Sequence, residues 1–253
     1  MAAAARQAGQ DAAQMPFIKN LASSDRKART ASLESLTTFL SSRRTLTDAD
    51  AQKLWTGLYY ALWMTDRPRP QQALAMDLSA LVFALRPACV RPWLRAFWHV
   101  LGTQWTSIES LRLDKFLLLV RRVFAAQLRL ATKKQAENKS DVLAVLGEFC
   151  FDGEGGPSGH GILPLGLRLH VLDLWVDELE REGVLDSDEK MVEDVGALVD
   201  ALRKNPVKAV RERARDSYDD ERLPWGVAKE EVDDGEEDGD SEEDEDGWGG
   251  IED

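Results

Sequence analysis

Apolar residues recur at helical spacing along most of the chain. Leu74, Leu78 and Leu81, for example, lie four and three positions apart, which is the spacing of one face of a helix. No run between residues 16 and 218 alternates β-branched and polar residues in the way that predicts a strand. The pattern therefore predicts an all-α protein.

Capping residues and prolines divide this pattern into segments. Thr47 and Asp50 resemble a capping box, in which the threonine accepts from a backbone N–H and the acid reaches back. Pro70 suits the first turn of a helix, where its missing N–H would have no partner. The predicted helices cover residues 16–22, 24–39, 47–64 and 70–85, a segment entered between prolines 87 and 92, a long segment from 107, and then 140–149, 165–182, 187–204 and 206–218.

The number and spacing of these segments suggest their arrangement. About ten helices with short connections favour antiparallel pairs, and roughly 40 residues per pair is the range of HEAT-type repeats. No repeated sequence signature accompanies this spacing. We therefore expect an irregular, HEAT-like α-solenoid.

The ends of the chain differ in composition from its middle. The formal net charge is −13, yet residues 230–253 hold fifteen Asp and Glu and no Lys or Arg, which leaves 30 acidic and 32 basic residues elsewhere. A segment so charged and so poor in apolar groups cannot bury enough surface to fold. We expect a disordered leader over residues 1–15, a helical-repeat domain over 16–222 and a disordered acidic tail over 223–253.

The cysteine content and the hydropathy of the chain indicate its redox compartment and whether it associates with a membrane. Two cysteines in 253 residues do not form a disulfide framework, which favours a reducing compartment. No apolar run approaches the roughly 18 residues that span a bilayer. The first residues also lack the apolar stretch of a secretory signal. We expect no membrane partner.

Residues with catalytic or metal-binding chemistry are scattered. His99, His160 and His170 lie in different segments, without the paired spacing of a metal site. His170 lies on a strongly apolar helix, where a partly buried histidine with a satisfied hydrogen bond is expected. The sequence predicts no catalytic residue, metal, cofactor or small-molecule substrate, and a helical enzyme is the least favoured hypothesis.

Basic residues are concentrated between positions 91 and 134, a segment that contains nine Lys and Arg and only two acidic residues. On the long helix that starts near residue 107, Arg112, Lys115 and Arg122 lie close to one face. Such a stripe suits contacts with phosphates. The alternative is a solvated face that pairs with acids on neighbouring helices, and the sequence leaves both open.

Aromatic residues are dense between positions 54 and 68. Trp55, Tyr59 and Trp63 repeat every four residues and so form one stripe, which we assign to the core. Tyr60 lies off that stripe. The segment ends in Asp66-Arg67-Pro68, which we expect to point outward.

Two blocks of the sequence have specific residue patterns. Leu54 to Pro68 reads Leu-Trp…Trp-Met-x-Asp-x-Pro, and Leu111 to Phe116 reads Leu-Arg-Leu-Asp-Lys-Phe. Further blocks are residues 17–29, 71–75, 97–105, Arg121-Arg122 and 166–179. In this order, the blocks resemble the nucleolar ribosomal RNA processing protein 1 family.

The resemblance implies an all-helical, non-enzymatic factor in assembly of the large ribosomal subunit. It would act in the nucleus and nucleolus, support pre-rRNA processing and bind other large-subunit assembly factors, with direct contact to pre-rRNA as a further possibility. The residues expected to contact a partner or rRNA are Asp66, Arg67, Arg112, Lys115, Arg121 and Arg122. The alternative is a general helical adaptor whose acidic tail binds basic partners such as histones.

Overall fold

The computed structural model describes residues 18, 20–23, 25–132, 136–152 and 163–226. These residues form ten α-helices, and no strand occurs among them, as predicted. The helices are α1 (Arg26–Ser42), α2 (Asp48–Trp63), α3 (Pro68–Ala80), α4 (Pro87–Gln104), α5 (Ser110–Thr132), α6 (Lys139–Val145), α7 (Leu165–Arg181), α8 (Val184–Ser187), α9 (Glu189–Leu202) and α10 (Lys208–Tyr218). Short 3₁₀ turns follow α3 and α4 and precede α6, and a π-helical turn, Leu146–Cys150, extends α6.

Side-chain caps and prolines start several of these helices. The Asp25 carboxylate accepts from the Lys27 amide at 2.9 Å. The Thr47 hydroxyl accepts from the Asp50 amide at 3.1 Å, as predicted. The Asp50 carboxylate, however, accepts from the Thr47 hydroxyl at 2.8 Å, whereas the predicted box has it bonded to a backbone amide. The side chains of this cap therefore satisfy one backbone N–H of the helix, that of Asp50.

Two boundaries differ from the prediction for local reasons. The α-helix predicted to reach residue 85 ends at Ala80 and tightens into a 3₁₀ turn, Leu81–Ala84, just before Arg86 and Pro87. The next helix begins at Pro87 and continues through Pro92. Pro92 is the sixth residue of this helix, so its missing N–H removes one backbone hydrogen bond from the helix interior, and the helix nevertheless continues to Gln104.

Neighbouring helices in space are mostly two apart in sequence. Helix α2 packs on α4, α3 packs on α5, α5 packs on α7, and α7 packs on α10. Helix α6 fills the space beside α4 and α5. Packed helices and an apolar core confirm the all-α fold class, and a regular superhelical repeat stays a prediction.

The aromatic stripe lies in the core. Trp55 and Tyr59 are buried, which confirms their assignment, while Trp63 and Tyr60 are half-buried. The Trp55 ring lies 4.9 Å from the Trp93 ring of α4. The Tyr59 ring stacks on Phe116 of α5 with 4.7 Å between centroids. Helix α2 is therefore held from two sides by aromatic contacts, each of which contributes about 0.5–1.5 kcal/mol beyond area burial.

The residues after α10 fold back onto the preceding helices. Leu223 is buried, and the Trp225 indole stacks on Tyr218 and donates to the Tyr218 carbonyl at 3.0 Å. The ring lies so close to Gly196 of α9 that a Cβ there would be 2.4 Å from it. Leu223 and Trp225, which lie beyond the predicted domain boundary at residue 222, thus pack against the core, while the boundary itself stays a prediction.

The other predicted end segments, residues 1–15 and 227–253, lie outside the described residues. In the part of the chain that is described, no helix is both long and apolar enough to cross a bilayer.

Candidate functional site

The connection between α2 and α3, residues 64–67, is a tight corner with a well-supported backbone. The Thr65 hydroxyl donates to the Ala61 carbonyl at 2.8 Å. The Gln71 side-chain amide donates to the carbonyls of Thr65 and Asp66, at 2.9 and 3.0 Å. The corner is thus fixed from both flanking helices, which keeps its exposed side chains in a defined arrangement.

Lys115 of α5 supports the same corner from below. Its side chain is 5% exposed, and its Nζ donates to the carbonyls of Trp63 and Thr65, at 2.7 and 3.0 Å. A cation at the C-terminal end of a helix is favoured by the helix dipole. Burial lowers the pKa of Lys115, the charge of Arg112 lowers it further, and Asp66 opposes the shift.

The position of Lys115 corrects the predicted basic stripe. Arg112, Lys115 and Arg122 were expected on one solvent-facing stripe, but Lys115 points into the protein toward the end of α2. Its role is to position the corner, since its amine hydrogens already bind carbonyls.

Above Lys115 lies the exposed part of the site, which we term the corner surface: Met64, Asp66, Arg67, Leu111 and Arg112. Met64 is 66% exposed and Leu111 is 96% exposed. Leu111 is one helical turn before Lys115 on α5 and next to Arg112 in sequence. Exposed apolar side chains beside arginine are typical of protein interfaces.

Arg112 covers the half-buried indole at the end of α2. Its guanidinium lies 5.1 Å from the Trp63 ring centroid and forms an ion pair with Glu109. A cation over an indole face is favourable by about 0.5–1 kcal/mol at an exposed site. Arg112 is therefore half-buried, with its charge partly balanced by Glu109.

Arg121 and Arg122 lie farther along α5. Arg121 binds Asp177 at 3.3 Å and also pairs with Glu178, which is 1% exposed, so it joins α5 to α7. Arg122 is half-buried and forms no ion pair among the described residues. The structure thus brings Asp66, Arg67, Arg112 and Lys115 together and separates Arg121 and Arg122 from them.

Other basic residues of the 91–134 segment are paired with acids on neighbouring helices. Arg91 pairs with Asp141, Arg95 with Asp48 and Glu148, and Arg129 with Glu182. This is the alternative interpretation of the basic stretch, and together with Arg121 it accounts for four of the seven basic residues that the structure describes there. Lys133 and Lys134 lie outside the described residues.

A groove runs between α1 and the corner, and the sequence interpretation missed it. It consists of two cavities of about 330 and 400 Å³ that share Arg29 and Pro70. The first is also lined by Leu21, Arg26, Thr30, Leu33, Ala73, Leu74 and Asp77, and the second by Ala22, Ser23, Met64, Thr65, Asp66 and Arg67.

Charged side chains lie on both sides of this groove. The Arg29 guanidinium donates to the Ser23 carbonyl at 2.7 Å. Burial raises the pKa of the Asp77 carboxyl, and the nearby Arg29 charge opposes that shift. Arg26 and Arg67 are exposed and form no ion pair among the described residues. The groove thus combines an apolar floor with two cations that have no acidic partner in the part of the chain that the structure describes.

Groups with catalytic or metal-binding chemistry are not assembled in the described residues. No cluster of three or more His, Cys, Asp or Glu there could hold a metal ion. Cys89 and Cys150 are buried free thiols, and burial raises the pKa of both. A His170 ring nitrogen lies 3.3 Å from the Leu117 carbonyl, which agrees with the predicted partly buried histidine.

The segments that form the site also carry the family resemblance. From the block 17–29, the groove is lined by Leu21, Ala22, Ser23, Arg26 and Arg29. Residues 54–68 include most of α2 and the corner, and Gln71 and Lys115 come from two further blocks and bind the corner carbonyls. The sequence model of the nucleolar protein family Nop52 matches residues 12–249, a range that includes all of them. The chain belongs to the Nop52 family of nucleolar proteins. This confirms the resemblance and, at the level of the family, the predicted nucleolar location.

Curated relatives agree with this assignment. Human ribosomal RNA processing protein 1 homolog B is 28% identical over 182 residues, which are 68% of this chain and 23% of the relative. Human homolog A is 33% identical over 132 residues, 52% of this chain and 28% of the relative. The Drosophila melanogaster homolog is 31% identical over 141 residues, 52% of this chain and 19% of the relative. The matched part of the chain thus spans about a quarter of the length of its human relatives.

Proposed function

We propose that this protein is a non-enzymatic factor in assembly of the large ribosomal subunit precursor, where it supports pre-rRNA processing in the nucleolus. The observation that carries the proposal is the match of a nucleolar protein family over residues 12–249. Relatives from human and fly are named as ribosomal RNA processing proteins, which supports the processing role.

The structure supports a docking role for this factor. Helices with an apolar core present the corner surface, where Met64 and Leu111 are exposed beside Asp66, Arg67 and Arg112. We propose that Asp66, Arg67 and Arg112 contact other large-subunit assembly factors or pre-rRNA. In this proposal Lys115 holds the corner in place, because its amine binds the corner carbonyls.

The two arginines farther along α5 have different parts in the proposal. Arg121 fixes the packing of α5 against α7 through Asp177 and Glu178. Arg122 has no ion pair among the described residues, which leaves its charge available for contact.

Depletion of the protein in cells tests the function. Pulse-labelling of RNA and hybridisation with probes to the internal spacers should show that unprocessed precursors of the large-subunit rRNA accumulate. Precursors of the small-subunit rRNA provide the internal control and should change less. Expression of the full chain should restore processing. Normal large-subunit precursor levels after complete depletion would contradict the proposal.

Purification of the tagged protein separates this function from the adaptor alternative. Large-subunit assembly factors and precursor rRNA are expected to co-purify. Recovery of histones in their place would favour the adaptor whose acidic tail binds basic partners.

A further inference from the structure

Charge is unevenly distributed along the described helices. Residues 25–90 contain nine Lys and Arg against six Asp and Glu, whereas residues 163–226 contain ten against sixteen. Twelve of the eighteen described basic residues from position 91 onward form ion pairs, from α4 to the segment that follows α10. The first part of the described chain thus has an excess of positive charge.

Several arginines in this first part have no acidic partner among the described residues. They are Arg26, Arg43, Arg44, Arg67, Arg69 and Arg86. Arg26 and Arg67 differ from the rest because they line the groove between α1 and α3. An unpaired arginine at the edge of a groove is a preferred site for a carboxylate, which its planar guanidinium binds with two hydrogen bonds.

The groove between these arginines offers an apolar floor. Leu74 is buried beneath it, Pro70 joins its two cavities, and Met64 lies at its corner end with 66% of its surface exposed. Methionine is a flexible side chain that adapts to an incoming apolar group. Lys115 and Gln71 fix the corner beneath Met64. This side of the groove is therefore already ordered before a ligand binds, and binding has a small entropic cost there.

Two carboxylates in the groove indicate whether its ligand is a peptide or a nucleic acid. Asp66 and Asp77 line the groove, and a phosphate backbone offers them only acceptors and negative charge. A peptide backbone offers N–H donors, which a carboxylate accepts, while its acidic side chains reach the arginines at the edge. The lining of the groove therefore favours an extended peptide over RNA.

We propose that the groove between α1 and α3 binds an extended segment of a protein partner that carries an apolar side chain flanked by acidic residues. The apolar side chain contacts Met64 and Pro70, and the acidic residues pair with Arg26 and Arg67. The groove shares Met64, Asp66 and Arg67 with the corner surface, but the peptide proposal is argued from charge and shape and does not rest on the ribosomal role.

Selection from a random library of 12-residue peptides displayed on phage, with the purified full chain as target, tests this proposal. The enriched sequences should contain an apolar residue flanked by Asp or Glu. The most enriched sequence, synthesised with a fluorescent label, is then the probe for affinity measurements by fluorescence anisotropy. Selection without enrichment, or enrichment of sequences without acidic residues, would overturn the proposal.

Charge reversal locates the binding site. The double variant Arg26→Glu/Arg67→Glu should weaken probe binding by about tenfold or more, since charge pairs at an interface contribute at this level. The matched control Arg44→Glu/Arg86→Glu makes the same change of charge outside the groove, and its affinity should stay within about twofold because salt screens distant charges. An equal loss in the control would show that only general electrostatic attraction is present, which refutes the assigned site.

A third variant and a competitor complete the test. Met64→Asp places a charge on the apolar contact and should also weaken binding by about tenfold, while circular dichroism checks that all variants remain folded. A 20-nucleotide single-stranded RNA should fail to displace the probe. Displacement by RNA, with loss of RNA binding in the Arg26→Glu/Arg67→Glu variant, would reassign the groove to nucleic acid and overturn the peptide proposal.

Discussion

Replacement of Lys115 by methionine tests whether this buried cation holds the corner. The substitution keeps the length and apolar stem of the side chain but removes the amine that binds the carbonyls of Trp63 and Thr65. Thr65 retains a second donor in Gln71. Within the described residues, Lys115 is the donor that reaches the Trp63 carbonyl, so one carbonyl loses its partner.

The expected loss follows from these contacts. A buried carbonyl without a partner costs about 1–3 kcal/mol, and loss of a cation at a helix C-terminus costs about 0.3–1 kcal/mol. The substitution also removes the energetic cost of keeping an ammonium group away from water, which offsets part of this loss of stability. We expect a net destabilisation of about 2 kcal/mol, which lowers Tm by about 4–8 °C for a chain of this size.

Denaturant and thermal unfolding of the full chain measure this change. Lys190→Met is the matched control, because Lys190 is 70% exposed and pairs with acids in its own helix, and its replacement should change the free energy of unfolding by no more than the error of the measurement. If Lys115→Met leaves the free energy of unfolding unchanged within that same error, the corner does not depend on Lys115 and our reasoning about its support is wrong.

The pH dependence of the same pair of proteins gives an independent check. Burial holds the pKa of Lys115 below its ordinary value, so the folded chain releases this proton before the unfolded chain does. The wild type should therefore gain stability relative to Lys115→Met as pH rises from the lowered pKa toward about 10.4. A constant difference between the two proteins across this window would contradict the assigned shift.

Three further substitutions test other contacts, each by urea unfolding. Glu178→Gln leaves two arginines beside a neutral side chain and should lower the free energy of unfolding by about 2–4 kcal/mol. The control Glu193→Gln, at an exposed position, should lower it by under about 0.5 kcal/mol. Equal effects of the two substitutions would refute the importance of the buried ion pair. Trp225→Ala removes the stack on Tyr218 and should cost about 2–4 kcal/mol, so an unchanged midpoint would show that this segment is not packed. Burial raises the pKa of Asp77, so the wild type should gain stability relative to Asp77→Asn as pH falls through that raised pKa toward about 3.9; a difference that is flat with pH would contradict this.

Local chemistry made the helices and the aromatic core predictable. Apolar spacing identified the helical segments, and the four-residue repeat of Trp55 and Tyr59 placed them inside. Thr47 and the prolines marked helix starts because their effects act within one turn. These features need only neighbouring residues, so a sequence is enough to find them.

The orientation of α5 could not be predicted in the same way. Arg112 and Lys115 differ by three residues, which is about 60° around a helix, so they share one broad face. That small rotation nevertheless separates a side chain on the surface from one beneath the corner. Which of the two points inward depends on where the end of α2 lies, and this is a property of the tertiary packing.

The distribution of ion pairs explains why a basic stretch in the sequence was a poor guide to the candidate site. Arg91, Arg95 and Arg129 belong to the most basic segment, yet each is used to join helices. Arg26 and Arg67 lie outside that segment, and they have no acidic partner among the described residues beside a groove. Recognition depends on charge that the fold leaves without a partner, so the first three helices, rather than α5, are where an acidic partner should bind.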